Sequence, residues 1–284
     1  MLRHKTLPYL FVIPAMLFFV VFIIYPVVSS FILSFQKQVG PEFTFVGLEN
    51  YIKLFKDPTF YTTLTNTLII FIVQVPIMLF LSLILANALN SKALKFKGIF
   101  RTSLVMPYVT SLVATAILFG IMMQTNGLLN GWLSKINVSP VPWLTDGAWA
   151  KISIIIIMTW RYMGYNMIVF LAALQNIPED LYEASSIDGA GKVRQFFSIT
   201  IPSLKPIILF TGVLSTIGTL QLFDEPYNLT NGGPMDGTMT FGLYIYRSAF
   251  QNGNFGYASA ISYILVVIIV ILTLIQFKVT GDDD

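Results

Sequence analysis

The chain has 284 residues, of which 55% are apolar, 14% aromatic and only 11% charged, with a mean hydropathy of +0.74. Soluble domains carry roughly 25% charged residues, so a water-facing enzyme, a nucleic-acid binder and a disordered chain are all disfavoured. The formal charge of +3 is too small to suggest a polyanion partner, and the lack of cysteine excludes disulfides, thiolate metal sites and cysteine nucleophiles. Composition therefore points to an all-α integral membrane protein surrounded by a lipid bilayer.

Gaps between charges locate the spans. There are 31 uncharged residues between Lys5 and Lys37, 34 between Asp57 and Lys92, 33 between Arg101 and Lys135, and 30 between Arg247 and Lys278. Lys205 and Asp224 enclose 18, and Lys151 and Glu179 enclose 27 interrupted once, by Arg161. A helix needs about 20 apolar residues to cross a bilayer core, so each gap predicts one span. Six transmembrane helices follow, near 7–35, 63–89, 104–123, 152–174, 206–223 and 258–277. They form a single domain with helix 1 at about 7–35 and core helices 2–6 at about 63–278. The first apolar run is much longer than the 7–15 residues of a signal-peptide core and lacks a small-x-small cleavage site, so it is expected to be retained.

With both termini inside, the inner segments hold ten Lys and Arg and the outer ones six. Four of the ten are Lys92, Lys95, Lys97 and Arg101. This predicts a multi-pass protein with both termini cytoplasmic. The third connection carries Trp132, Trp143 and Trp149, as an outer interfacial belt would. Within it Leu128, Leu129, Trp132, Leu133 and Ile136 recur at helical spacing, which predicts a short amphipathic helix.

The cytoplasmic loop at 175–205, between helices 4 and 5, is too organised for a passive connector. Pro178 at a first helical position, with Glu179 and Asp180 beside the positive end of the dipole, predicts a helix start. That helix stops at Asp188-Gly189-Ala190-Gly191, where Gly189 can adopt a left-handed cap. A second helix is expected from Lys192 and closed by Pro202, giving a helix–turn–helix. Gly189-Ala190-Gly191-Lys192 imitates a phosphate loop. However, Ser186 stands where the first Walker glycine belongs and Val193 where the Ser or Thr belongs, so no ATP site is expected here.

Glu183-Ala184-Ser185, then Gly189, then Ile199-Thr200-Ile201-Pro202 resembles the Glu-Ala-Ala signature of permease subunits in binding-protein-dependent ABC importers. The family pattern is Glu-Ala-Ala, three residues, Gly, nine residues, Ile-x-Leu-Pro. Both spacings are kept; Ser185 replaces the third Ala and Ile201 the Leu. Ile177-Pro178, Leu181-Tyr182, Ile187-Asp188-Gly189-Ala190 and Leu229-Thr230-Asn231-Gly232-Gly233-Pro234 resemble the carbohydrate-uptake branch, close to maltose and multiple-sugar permeases. The resemblance covers about residues 8–278. It implies that Glu183, Ala184, Ser185, Asp188, Gly189 and Gly191 form a coupling element docking on a cytoplasmic ATPase. It also implies a second homologous permease, two ATPase subunits holding ATP and Mg, and an extracellular solute-binding protein. The setting would be a bacterial inner membrane, the chain itself being a non-enzymatic heterodimer half without a cofactor.

Arg161, about nine residues into span four, is costly in a bilayer and should face the bundle interior or a wet cavity. Trp160, Tyr162, Tyr165 and Asn166 beside it, with Ser215, Thr216, Gly218, Thr219 and Gln221 in span five, offer hydrogen bonders and aromatic faces for a sugar pathway. The same residues could instead glue helices, with Arg161 pairing Asp224 or a partner subunit. An ion-coupled secondary transporter is the alternative function, but it calls for intramembrane carboxylates; none falls within the six spans, and Asp224 and Glu225 sit just past span five. A membrane enzyme would need clustered His or carboxylates, and only one His exists.

Overall fold

The structure, a computed structural model, describes residues 3–39, 42–91 and 94–281. Among the described residues the regular structure is helical apart from one hairpin. Among them five helices are long and apolar enough to cross a membrane, and a bent helix pair makes a sixth span if taken as one. Lys92, on which the expected orientation partly leans, lies outside the described residues.

The chain divides into two units. The first comprises the residues up to Phe60 together with Tyr244–Val267. Its N-terminal span runs from α1 (Arg3–Phe19) through a π-helical turn, Val20–Ile24, into α2 (Tyr25–Ser34). The wide turn has a local cause. The Pro26 ring would collide with the carbonyl four residues back, at Phe22, and the π turn makes room. A hairpin that the apolar periodicity does not announce follows, β1 (Gln36–Val39) antiparallel to β2 (Glu42–Phe45), then α3 (Glu49–Leu54). Asn50 donates its side-chain N–H to the carbonyls of Ser34 and Gln36, both at 2.9 Å, and so ties α3 to the end of the first span. The Asp57 carboxylate, just ahead of α4 (Pro58–Asn90), accepts from the hydroxyls of Tyr244 at 2.6 Å and Tyr257 at 2.9 Å and from the Thr59 N–H at 2.8 Å.

The second unit, Tyr61–Leu243 with the segment from Ile268, holds most of α4. Its other elements are α5 (Lys97–Val109), α6 (Leu112–Met122), α7 (Leu128–Lys135), α8 (Gly147–Leu174), α9 (Glu179–Ile187), α10 (Lys192–Gln195), α11 (Ile201–Ser203), α12 (Lys205–Leu220) and α13 (Asp224–Leu229). Two helices are shared with the first unit, α14 (Phe241–Tyr246) and α15 (Phe255–Gly281). The amphipathic helix expected near 128–136 is present as α7. A core of Leu83, Ala86, Leu89, Met167, Phe170, Leu171, Leu174 and Leu204 joins α4 and α8 to the start of α12. Beside it, α8 and α5 approach so closely that a Cβ on Gly164 would lie 1.8 Å from the Leu104 carbonyl oxygen. Small residues at such crossings are what allows tight packing between helices in lipid.

Three expectations need correction. The third span is not one helix over 104–123 but the pair α5 and α6, bent by 96°. Thr110 (ψ 152°) and Ser111 (ψ 133°) are both extended, and the Ser111 side chain accepts from Ala114 N to start the second helix; apolar composition cannot register a two-residue break. Pro178 stands just before the first helical residue rather than at it, with ψ 133°. Pro202 does not close its helix either. A π turn at Phe196–Thr200 absorbs the ring and the chain stays helical to Ser203.

Candidate substrate cavity and coupling loop

Three helices and the broken span surround a cavity of about 270 Å³ in the second unit. From α4 come Gln74 and Met78, four residues apart; from α8 come Met158, Tyr162, Tyr165 and Asn166; from α12 come Leu214, Ser215, Gly218 and Thr219, with Leu222 just beyond. Each set occupies one helical face, because residues three, four and seven apart are neighbours on a helix. Tyr108, from the end of α5, completes the wall. Its ring stacks on Tyr165 with centroids 4.7 Å apart and meets Tyr162 edge-on at 5.9 Å.

Among the described residues the lining has no carboxylate, ammonium or guanidinium, and its polar side chains are amides and hydroxyls. Thr219 Oγ1 donates to Gln74 Oε1 at 3.0 Å, and Asn166 Nδ2 donates to the Tyr162 carbonyl at 3.2 Å. Gln74 Nε2 and Asn166 Nδ2 also lie 3.2 and 3.6 Å from the Met78 sulfur. A thioether is a weak acceptor, so both amides keep donor capacity for a better partner.

Of the residues singled out from sequence, Tyr162, Tyr165, Asn166, Ser215, Gly218 and Thr219 come together in this wall, while Trp160, Arg161, Thr216 and Gln221 do not line it. Arg161 is 6% exposed and points the other way, toward the α5–α6 break. Its Nη2 donates to the carbonyls of Thr110 at 2.8 Å and Tyr108 at 3.4 Å, and its Nη1 lies 3.3 Å from Thr115 Oγ1. Sequence reasoning missed Gln74, Met78 and Tyr108. An amide deep in span two was the available signal for Gln74, whereas Tyr108 could be placed only once the break was known.

The loop between α8 and α12 has its own geometry. Gly189, at φ +78°, ends α9, with Gly189 N donating to Ser186 O at 3.1 Å and Ala190 N to Ser185 O at 2.9 Å. These are the two bonds of a Schellman cap. Gln195 locks α10 against α9. Its Nε2 lies 3.1 Å from the Tyr182 carbonyl, 2.9 Å from Ser185 Oγ and 2.8 Å from Ser186 Oγ. Tyr182 and Thr200 share a hydroxyl contact at 2.9 Å. Glu183, Ala184, Asp188, Gly189 and Gly191 remain exposed, and Ser185 is half-buried. Ile187 and Val193, 87% and 73% exposed, are the most exposed of this loop's large apolar side chains, ahead of Phe197 and Leu181.

Residues 55–279 match the family model described as binding-protein-dependent transport system inner membrane component. The chain is 48% identical over 274 residues to the lactose transport system permease protein LacF of Rhizobium radiobacter, covering 95% of this chain and 92% of that one. It is 39% identical over 287 residues to the arabinooligosaccharides transport system permease protein AraP of Bacillus subtilis, covering 98% and 89%. A chain in the crystal structure of a bacterial ABC transporter involved in import of the acidic polysaccharide alginate superposes with a TM-score of 0.87 at 23% identity, over 99% of this chain and 97% of that one. That likeness establishes a shared fold. With the family model matching most of its length, this multi-pass chain belongs to the inner-membrane components of binding-protein-dependent transport systems.

Proposed function

We propose that the chain is the translocation-pathway subunit of an ATP-driven importer of a neutral sugar or short oligosaccharide. The observation that carries this reading is the cavity wall: tyrosine faces for stacking on sugar rings, amide and hydroxyl groups for their hydroxyls, and no fixed charge. An acidic polysaccharide would call for cations in such a wall; this one has none. Tyr108, Tyr165, Asn166, Ser215, Thr219 and Gln74 are the contacts. The names of the lactose and arabinooligosaccharide relatives support the same substrate class. Arg161 and Gln221 belong to the pathway through the helices they support rather than by touching the sugar.

The 178–202 loop is the coupling element. Glu183, Ala184, Ser185, Asp188, Gly189 and Gly191 form its docking face, with Ile187 and Val193 as apolar contacts for a cytoplasmic ATPase. With Leu181 and Phe197 also exposed, the loop gathers several apolar side chains on its surface, and it is clustered apolar surface that marks interaction sites. One chain supplies half a pathway. A second permease, two ATPase subunits carrying ATP and Mg, and an external solute-binding protein complete the assembly. A binding protein is also part of the alginate transporter complex of the same fold.

Uptake of radiolabelled lactose and arabinotriose into proteoliposomes holding the whole complex is the test. One of these neutral sugars is expected to accumulate only with ATP and binding protein present. Accumulation driven by a proton or sodium gradient without ATP would overturn the reading in favour of an ion-coupled carrier.

A further inference from the structure

We infer that Arg161 is a positioning residue for the cavity. It latches the α5–α6 break so that Tyr108 is held in the cavity wall against Tyr165. This rests on the cavity being the substrate path proposed above.

The last carbonyls of an α-helix have no partner within the helix and carry partial negative charge. The 96° bend after Val109 denies α5 any continuation that could take up those of Tyr108 and Thr110. The Arg161 guanidinium reaches both, at 3.4 and 2.8 Å, and bridges to Thr115 on α6 at 3.3 Å. One planar group with five donors thus grips both sides of the break. Thr115 also accepts or donates with Thr110 at 3.1 Å, which closes the network. The bond to the Tyr108 carbonyl is decisive for the cavity, because the same residue's ring stacks on Tyr165 at 4.7 Å. Backbone position at 108 therefore sets ring position over the substrate space.

Other groups face the guanidinium. The Tyr162 ring centroid lies 5.8 Å from its Cζ. Glu225 on α13, 4% exposed and with Oε1 lacking a hydrogen-bond partner, lies within its electrostatic reach. Removing Arg161 alone would strand that carboxylate, so the test includes a charge-balanced variant.

The chain has no cysteine, so paired cysteines report the latch directly in the full complex. In a Tyr108→Cys/Tyr165→Cys background, a short bifunctional thiol reagent should bridge the two positions. The yield is expected to fall at least about threefold with Arg161→Met or Arg161→Met/Glu225→Gln, and to fall less with Arg161→Lys. In the tyrosine-intact complex, the same substitutions should raise the KM about tenfold for whichever of lactose and arabinotriose the unmodified complex accumulates, while leaving the maximal rate within about threefold. Unchanged cross-linking in the charge-balanced variant overturns the latch, including the case where KM rises because Arg161 touches the sugar itself. The cross-link arm needs no sugar, so failure of the carbohydrate reading shows up separately, as absence of lactose and arabinotriose uptake by the unmodified complex.

Discussion

At Gly164 a single hydrogen atom decides how near two helices can lie. A Cβ there would fall 1.8 Å from the Leu104 carbonyl oxygen, a backbone atom that cannot swing aside. In an isolated helix Gly→Ala stabilises by about 1 kcal/mol. Here overpacking, roughly 1–3 kcal/mol or more, should reverse the sign. Gly164→Ala is expected to lower the melting temperature of the purified complex by several degrees; a higher melting temperature would show that α5 and α8 are not in contact at this point. Asp57 offers a second residue-scale prediction. Burial pushes its carboxyl up, but hydrogen bonds from Tyr244, the Thr59 N–H and Tyr257 outweigh that and hold its pKa below the ordinary 3.8. Tyr244 is pushed up, by burial first and then by its bond to Asp57. A carboxyl lowered by folding stabilises above its unfolded pKa and loses that contribution as pH falls through the folded value. The melting-temperature difference between the parent and Asp57→Asn should therefore be flat from pH 5 to 8 and shrink below about pH 4. A difference that changes around neutral pH would mean that Asp57 is not held in this way.

The 178–202 loop shows what a motif can and cannot reveal about an element. Its residue types fix the α9 cap, because Gly189 takes φ +78° and both Schellman bonds form. The element that holds α10 at a set angle to α9 is Gln195, which no spacing rule singles out, since its partners are a carbonyl and two hydroxyls from the preceding helix. Gln195→Leu should leave insertion and assembly intact but cut transport per ATP hydrolysed at least about threefold. Normal transport per ATP would mean that the fixed angle is unnecessary. The membrane spans were legible for a similar reason, because bilayer crossing demands long uncharged runs. The hairpin Gln36–Val39/Glu42–Phe45 and the Thr110–Ser111 break were not, being two- to four-residue backbone decisions set by tertiary contacts. Likewise the polar residues of spans four and five marked part of the cavity wall, whereas Arg161 turned away to the break and Tyr108 needed the break itself. The π turns are a middle case. Each of Val20–Ile24 and Phe196–Thr200 ends two residues before a proline, a pattern the sequence carries but helical periodicity does not display.

For the whole molecule the governing question is which end of the bundle faces the energy source. Cytoplasmic connections carry the excess of Lys and Arg, and a ten-to-six division predicts the 175–205 loop inside and α7, with its Trp132, outside. Both ends carry a large exposed side chain suited to labelling, Val193 at 73% and Trp132 at 60%, and the chain is free of native cysteine. Val193→Cys and Trp132→Cys therefore report sidedness without background. In intact cells a membrane-impermeant maleimide should label the cysteine at 132 at once and the one at 193 only after permeabilisation. The opposite pattern would put the Ile187 and Val193 face out of reach of any cytoplasmic ATPase. The loop could not then transmit ATP-driven motion into α8 and α12, the two helices that it joins and that together supply eight of the cavity's twelve lining residues.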